Sequence, residues 1–487
     1  MAKRPNLLLF MTDHQRGDTV LPAHPCQTPN VDRLAREGVS FTEAYCPAPH
    51  CCPSRATFFT GLYPSRHGVW NNICNAQALS AGPREGVRLF SQELRAAGYR
   101  LAFDGKWHVS IEQRPADYGW EELIVTSAKG DHHGVDWEQW RRFREPKETG
   151  ERAPGQVRRP GWGDYRLYRT LPDDAPAGHD ERVVARAVEA LPALAQGGEP
   201  WCLYVGLVGP HDPYNVPRRY VEQYRLEEVP LPPSFADDLA DKPRVVQRLR
   251  RQYWSQLSER EVRDAIRHFW AYCTYLDALF GEVLQALDAT GQAEDTLVLY
   301  VADHGDYLGD HGLFLKGIPC YRGAYHVPCV MRWPNGIAHP GRQVEALVSL
   351  ADLAPTFVEL GGATIPQRPT GRSLAPFLRG EQPADWPDEI HTQCNGVELY
   401  YTQRSVRTRE WHYVYNGFDD DELYHLAEDP HELRNLVGDP CYDGVKREMV
   451  RRLWRFACRE EDTAMNPYAT VALCPWGPGD ALGEVTE

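Results

Sequence analysis

The chain alternates between short, continuous apolar runs and longer segments in which apolar residues recur every three or four positions. The apolar runs predict buried strands at Asn6–Thr12, within “RLAFDGKWH”, within “WCLYVGLVGPH” and within “TLVLYVADHGD”. The segments between them predict helices, in “TPNVDRLAREG”, “FSQELRAAG”, “DERVVARAVEAL”, “SEREVRDAIRHFWAYCTYLDALFGEVLQALDATG” and “DLAPTFVELGG”. Strands that alternate with helices predict an α/β fold, with a large, mostly parallel sheet sandwiched by helices.

Two helix starts carry clear boundary signals. Thr28 is predicted as an N-cap, followed by Pro29 in the first turn and Gly38 as the stop. Ser258 and Glu261 have the spacing of a capping box at the start of the longest helix.

The pattern changes at two places and predicts the domain organisation. Between about 113 and 180 the chain is polar and rich in Gly, Pro, Arg and Trp, which favours a loop-rich insertion covering the sheet edge. After 378, “DEIHTQC”, “YYTQRSVRT” and “WHYVYNG” predict short strands, and “VKREMVRRLWRFAC” predicts a helix. We therefore expect a catalytic α/β domain over 1–378 and a smaller α+β domain with a tail over 379–487.

Composition excludes several classes of protein. The 487 residues include 42% hydrophobic residues, enough for a large core, and the net charge of 53 − 68 = −15 argues against a nucleic-acid binder. No apolar run is long enough to span a bilayer, and “MAKRPNLLLFMTDHQ” lacks the long apolar region of a signal peptide. Thirteen dispersed cysteines favour reduced thiols. We expect a cytoplasmic protein, or a periplasmic or secreted one if the chain is a mature form.

Several predicted strands end in residues that carry chemistry. The carboxyl ends of parallel strands share one edge of a sheet, so these residues are expected in one site. Two carboxylates from different strands and an imidazole suit one divalent cation, with oxygen ligands favouring Ca²⁺ or Mg²⁺ and the nitrogen favouring Mn²⁺. The alternative to a metal site is a purely structural role, in which Asp13 caps the next element and His304 is a core histidine with satisfied hydrogen bonds. The strand-end residues are Asp13, Lys106, His108, His211, Asp303 and His304.

The segment “HCCPSRATFFTG” raises the question of what two adjacent cysteines do. A cysteine near Arg55 could be a thiolate nucleophile, because a neighbouring cation lowers the thiol pKa from about 8.5. It could also be an inert buried thiol. Counted from Cys51, Pro53 follows at the second position and Arg55 at the fourth; counted from Cys52, neither spacing holds.

Cys-x-Pro-Ser-Arg followed by Thr-Gly resembles the signature of the sulfatase family, which belongs to the alkaline phosphatase superfamily. Further motifs resemble that family in order along nearly the whole chain: “GKWH”, “GPHDP”, “ADHGDYLGDHGLFLKG”, “YRGAYHVPCVMRWP” and the late “ELYHLAEDPHELRNL”. The resemblance implies an alkaline-phosphatase-like fold and hydrolysis of a sulfate monoester, with an aryl or carbohydrate sulfate as substrate.

The resemblance also implies that Cys51 is oxidised to formylglycine by a formylglycine-generating enzyme, with Cys52 as a bystander. A serine nucleophile would end as a stable sulfate ester. A hydrated aldehyde carries two hydroxyls on one carbon, so one attacks sulfur and deprotonation of the other expels sulfate and restores the aldehyde.

The remaining roles follow from the resemblance by position. Arg55 and Lys106 would steady the formylglycine hydrate, and His108 would remove its second proton. His211 and Lys316 would hold the sulfate and protonate the leaving oxygen. One divalent cation is implied, Ca²⁺ as first choice with Mn²⁺ or Mg²⁺ as alternatives, in a site assigned to Asp13, His14, Cys51, Asp303 and His304.

The chain departs from the usual family pattern at the metal motifs. His14 stands where sulfatases carry a second Asp, so its role as a ligand stays open, and His304 replaces an Asn. The usual Arg-Val-Pro is His326-Val327-Pro328. Phosphonate monoester hydrolases and choline sulfatases are similar to this chain at the metal motifs. Lys106 in “GKWH” favours a sulfatase over a phosphonate monoester hydrolase.

Two other functions stay open on this reading: a phosphonate monoester or phosphodiester hydrolase on the same scaffold, and an inactive, ligand-binding relative. The insertion and the carboxy-terminal domain are expected to select the substrate, with Asp131, His132, His133 and Trp137 as candidates. We expect no nucleic-acid or membrane partner, and the chain could form a homo-oligomer.

Overall fold

The structure is a computed structural model that describes residues 4–75, 77–126, 152–159, 163–396, 399–466, 468–469 and 476–482. The strands are β1 (Asn6–Thr12), β2 (Val39–Phe41), β3 (Ala44–Tyr45), β4 (Arg100–Lys106), β5 (Glu121–Thr126), β6 (Gln156–Arg159), β7 (Gly163–Arg166), β8 (Tyr168–Leu171), β9 (Trp201–Gly206), β10 (Tyr214–Pro217), β11 (Thr296–Ala302), β12 (Cys329–Arg332), β13 (Arg342–Val344), β14 (Val348–Ser349), β15 (Glu389–Cys394), β16 (Gln403–Thr408), β17 (Trp411–Asn416) and β18 (Glu422–His425). The helices are α1 (Pro29–Arg36), α2 (Cys51–Thr60), α3 (Pro64–His67), α4 (Phe90–Ala96), α5 (His179–Ala195), α6 (Arg218–Val221), α7 (Arg244–Gln252), α8 (Glu259–Ala289), α9 (Arg322–Tyr325), α10 (Leu353–Leu360), α11 (Ala375–Leu378), α12 (Asp443–Arg459) and α13 (Gly479–Leu482).

The main sheet has eight strands in the order β13-β2-β12-β11-β1-β9-β4-β5. All neighbours are parallel except β12, which is antiparallel to both β11 and β2. The register aligns the carboxyl ends of the central strands, since Thr12 pairs with Ala302 and Met11 with Gly206. The residues that follow these strands therefore lie at one edge of the sheet.

Helices cover both faces of the sheet, as predicted. On β1, Leu7 and Leu9 pack on the side of α2, whereas Leu8 and Phe10 pack on the side of α5 and α8. Because successive side chains of a strand point to opposite faces, a continuous apolar run is what a strand between two helical layers requires. The predicted α/β class is confirmed.

The predicted helix starts are found, with one difference. The capping box of Ser258 and Glu261 is present, with Ser258 N–H donating to Glu261 Oε2 at 2.9 Å. Thr28 does precede α1, but its side chain makes no capping hydrogen bond.

The region predicted as a covering insertion supplies part of the sheet itself. The segment Glu121–Thr126 forms β5, the edge strand that pairs with β4, so the edge there is a strand and not a loop. The prediction missed it because β5 is half-exposed and lacks the continuous apolar run of a central strand. The candidate specificity residues Asp131, His132, His133 and Trp137 lie outside the described residues.

The carboxy-terminal part forms an antiparallel sheet in the order β15-β16-β17-β18, covered by α12. Val406 and Tyr413 pack with Leu453 of α12, whereas Val414 joins the main core. These contacts match the predicted α+β character, and the boundary between 378 and 379 stays a prediction. Within the described ranges, we find no helix with the length and apolar character that crossing a bilayer requires.

Candidate active site

The first feature of the site is a buried carboxylate pair held by one arginine. Asp13 follows β1 and Asp303 follows β11, so the register of these parallel neighbours sets them side by side. Arg55 donates from Nε to Asp303 Oδ2 at 2.8 Å and from Nη2 to Asp13 Oδ2 at 3.1 Å. All three side chains are fully buried, which a charged group tolerates only when it is paired.

Cys51 is the first residue of α2, where unpaired backbone N–H groups favour negative charge. Its Sγ lies 3.2 Å from Lys316 Nζ, 3.4 Å from His304 Nε2 and 3.7 Å from Asp13 Oδ1. Burial alone would raise the pKa of this thiol, but Lys106, Lys316 and His304 lower the pKa well below its usual value. Position 51 therefore stabilises an anion.

Four of these residues offer a donor set suited to a divalent cation. One donor atom each from Asp13, Cys51, Asp303 and His304 lies within 4.8 Å of the others, and all four residues are buried. The Nδ1 of His304 faces Gly305 O at 2.9 Å, so with its proton there Nε2 keeps a free lone pair. Burial and the neighbouring Asp13 carboxylate raise the pKa of Asp303, a cost that a bound cation would relieve. These residues fit one divalent cation.

His14 lies beside this set and groups with Asp13 and His211 instead. Its ring stacks on His211 at 4.3 Å between centroids, and Nδ1 is 3.4 Å from Asp306 Oδ2. Among the described residues neither ring nitrogen has a hydrogen-bond partner. Burial and the nearby Lys316 lower the pKa of His14 well below its usual value, so the ring is neutral at pH 7. Its assignment as a metal ligand stays a prediction.

Lys106 and His108 also lie close to Cys51. Lys106 ends β4 and its Nζ donates to Asp13 Oδ2. His108 follows two residues later with a φ of 51°, a left-handed conformation that is uncommon for non-glycine residues. Burial and Lys106 lower the pKa of His108 to about 4, so at neutral pH its imidazole is free to accept a proton.

His211 and Lys316 form a contact pair at the accessible side. Lys316 Nζ is 3.1 Å from His211 Nε2, and both side chains are half-buried. The other ring nitrogen, Nδ1, is 2.7 Å from the main-chain oxygen of Asp212 and 3.1 Å from Asp212 Oδ1. Burial and Lys316 act to lower the pKa of His211, but Asp212 and the Cys51 sulfur outweigh them and the pKa is raised. The pair therefore places a cationic side chain beside an imidazole that keeps its second proton to a higher pH than usual.

Sequence reasoning missed several residues of the site. Tyr204, on β9, accepts a hydrogen bond from Arg55 Nη1 at 2.9 Å, which only the sheet register reveals.

Asp306 accepts a hydrogen bond from the Tyr214 hydroxyl at 2.7 Å, and burial raises its pKa to about 7. Asp212 and Asp306 had a signal, since each lies in a motif that supplied a predicted site residue. His50, next to Cys51, is buried, and its ring nitrogens have no hydrogen-bond partner in the described part of the chain.

Comparison with known proteins decides the family. The family model described as “Sulfatase” matches residues 5–363, and one described as “N-sulphoglucosamine sulphohydrolase, C-terminal” matches residues 309–459. The chain belongs to the sulfatase family. The predicted family and its alkaline-phosphatase-like fold are thereby confirmed, and the protein is a hydrolase.

Individual relatives of this sulfatase-family protein cover nearly its full length. Choline-sulfatase of Rhizobium meliloti is 31% identical over 90% of this chain and 83% of its own length. An uncharacterized sulfatase of Escherichia coli, YidJ, is 29% identical over 97% of this chain and 91% of its own. The solved phosphonate monoester hydrolase of Agrobacterium radiobacter has a TM-score of 0.75 and 25% identity, covering 94% and 96% of the two chains.

Proposed function

We propose that the protein hydrolyses a sulfate monoester to an alcohol and inorganic sulfate, using formylglycine at position 51 and one divalent cation. The observation that carries this proposal is the position of Cys51 Sγ. It lies at the start of a helix, within 3.4 Å of His304 Nε2 and 3.2 Å of Lys316 Nζ. A group placed there contacts both the donors that would bind the metal ion and the Lys316 ammonium that would bind sulfate.

Asp13, Asp303 and His304 would hold the cation, with the side chain at position 51 completing the set. The donors are two carboxylates and one imidazole, which Ca²⁺, Mn²⁺ and Mg²⁺ all accept, and the nitrogen favours Mn²⁺. When bound, the cation polarises sulfate oxygens as a Lewis acid. Arg55 contacts both carboxylates and so orients them before any cation arrives.

The formylglycine, formed by a formylglycine-generating enzyme, would supply a hydrated aldehyde as the nucleophile. Lys106 contacts Asp13 and neutralises negative charge next to position 51. His108 is neutral because its pKa is lowered to about 4, and it stands close enough to Cys51 to influence that thiol. It is our candidate for the base that takes the proton which releases sulfate.

His211 and Lys316 would act on the sulfate and on the alcohol that leaves it. The ammonium of Lys316 would bind sulfate oxygens, and the raised pKa of His211 keeps a proton on its ring to higher pH. A protonated Nε2 beside the sulfate can donate its proton to the departing alcohol oxygen. The main-chain oxygen of Asp212, 2.7 Å from His211 Nδ1, would orient the ring, and the Asp212 carboxylate at 3.1 Å adds negative charge beside it.

An aryl or carbohydrate sulfate is the substrate class we propose. The second candidate is a phosphonate monoester, because the structure of a phosphonate monoester hydrolase superposes over almost the whole chain. Lys106 favours the sulfate, because “GKWH” resembles the sulfatase motif at this position.

The deciding experiment compares kcat/KM for an aryl sulfate and an aryl phosphonate monoester bearing the same leaving group. We expect the sulfate to be preferred. A reversed preference would replace the sulfate proposal with the phosphonate one. Mass spectrometry of the peptide spanning position 51 tests maturation separately, and an unmodified thiol in the active enzyme would refute the proposed nucleophile.

A further inference from the structure

Cys52 belongs to a group of its own, separate from the carboxylate-rich site next to it. Its Sγ, the Sγ of Cys74 and a ring nitrogen of His108 all lie within 4.8 Å of one another. Cys52 is fully buried, whereas Cys74 and His108 are half-buried, so the group can be reached from solvent. Cys52 N–H donates to Asn72 Oδ1 at 3.2 Å and ties the loop that carries Cys74 to the start of α2.

Two sulfurs and one imidazole are the donors that zinc-class cations select. In a tetrahedral site with Zn–S of about 2.3 Å and Zn–N of about 2.0 Å, donor atoms are separated by roughly 3.5–4 Å. The three donor atoms lie within 4.8 Å of one another, so small side-chain rotations would bring them to these separations. The neighbouring group around Asp303 offers carboxylate oxygens instead, which harder cations prefer. The two groups therefore differ in the metal they select.

A second observation also points to a ligand. His108 Nδ1 is buried and has no hydrogen-bond partner among the residues that the structure describes. The backbone of His108 has a φ of 51°, in the left-handed region that few non-glycine residues adopt. A buried imidazole nitrogen without a partner costs free energy, and a bound cation would satisfy it.

We propose that Cys52, Cys74 and His108 form a second metal site, selective for a thiophilic divalent cation such as Zn²⁺, with one position left for water. The cation displaces the thiol protons and binds as a dithiolate complex, so no oxidation is involved. An imidazole that coordinates the cation cannot also accept a proton at Cys51. Binding therefore inhibits turnover; this consequence rests on the proposed function, whereas the site itself does not.

The first test uses no turnover. The full chain carrying Cys51→Ala, which lacks the neighbouring thiol, is reduced and titrated with Co²⁺ as a coloured substitute for Zn²⁺. We expect a thiolate-to-cobalt charge-transfer band that saturates near one ion per chain and disappears when Zn²⁺ is added. The oxygen- and nitrogen-donor site of Asp303 and His304 cannot produce this band.

Matched variants assign the band to its ligands. Cys52→Ser and Cys74→Ser should each remove most of it, while Cys441→Ser, at an exposed cysteine, should leave it unchanged. A missing band, or a band unchanged in both serine variants, would overturn the proposal. In the unaltered protein, Zn²⁺ should also slow alkylation of Cys74 but not of Cys441, which covers the case that a variant misfolds. If peptide mapping instead finds a Cys52–Cys74 disulfide and the reduced chain binds no cobalt, the metal site is excluded.

A second test addresses the link to His108. In the mature enzyme, Cys74→Ser should raise the half-inhibiting concentration of Zn²⁺ at least about tenfold, since losing a ligand weakens binding. Equal inhibition of both enzymes would disprove the link. Because the cobalt titration needs no activity, failure of the proposed hydrolase function and failure of the metal site give different results.

Discussion

Lys316 Nζ lies 3.1 Å from His211 Nε2, so a fixed positive charge faces the imidazole nitrogen directed toward Cys51. An ammonium at this distance disfavours a second positive charge, yet Asp212 on the other ring nitrogen raises the pKa of His211 above its usual value. The two residues thus combine an anion-binding cation with a proton donor. A sulfate oxygen between them would screen their repulsion and favour the protonated ring further.

The first prediction concerns His211→Ala. A general acid matters most when the departing alkoxide is basic, so we expect kcat/KM to fall by about 10²–10⁴-fold for an alkyl sulfate and much less for a nitrophenyl sulfate. The measurement is a Brønsted plot over a series of leaving groups, which should steepen in the variant. His425→Ala, at a histidine on β18 of the carboxy-terminal sheet, is the control. Equal losses for all leaving groups would remove His211 from this role.

The second prediction is a pH effect of Asp212→Asn. The Asp212 carboxylate, 3.1 Å from His211 Nδ1, raises the pKa of His211, and a general acid is active only while protonated. Without this carboxylate the pKa of His211 falls, so the alkaline limb of the kcat/KM profile should move to lower pH. The acid limb belongs to other groups and should stay. An alkaline limb that stays in place would show that it reports another residue.

The location of the site was predictable from the sequence, but its internal bonding was not. Apolar strands that end in Asp13 and Asp303 predict one site because parallel strands bring their carboxyl ends to one edge. The hydrogen bonds from Arg55 to both carboxylates depend on how α2 packs against the sheet, which cannot be predicted from the local sequence pattern. The same holds for Tyr204, whose position in mid-strand looks like that of any core residue.

Long-range packing explains the remaining differences. Cys52 looked like a bystander because Cys74 follows 22 positions later, in a loop with no regular pattern, and only the folded chain brings them together. The edge strand β5 was missed because a half-exposed parallel edge strand has neither a continuous apolar run nor strict alternation. The order of the motifs predicted which residues lie together at one edge of the sheet, whereas pairings across the fold required the three-dimensional structure.

The third prediction concerns the nucleophile. Cys51→Ala should lower kcat by at least about 10⁴-fold, as loss of a nucleophile does in other hydrolases, while the melting temperature stays close to that of the parent. Cys329→Ala, at another buried cysteine on β12, is the matched control and should keep its activity although it loses some packing. Substantial activity in Cys51→Ala would rule out a nucleophile at this position.

The fourth prediction concerns metal removal. Asp13 and Asp303 are fully buried and adjacent, so a cation that binds between them stabilises the folded state. A cation at 100 times its Kd adds about 2.7 kcal/mol to the free energy of unfolding. Chelation should therefore lower both the melting temperature and the activity, and Mn²⁺ or Ca²⁺ should restore both. In His304→Ala, which lacks the nitrogen donor but keeps both carboxylates, the cation concentration needed for half of this stabilisation should rise. If chelation leaves the melting temperature of the parent protein unchanged, these buried carboxylates hold no cation. Arg55 and Lys106, together with the backbone N–H groups of His14 and His304 that donate to Asp303, would then compensate their charge.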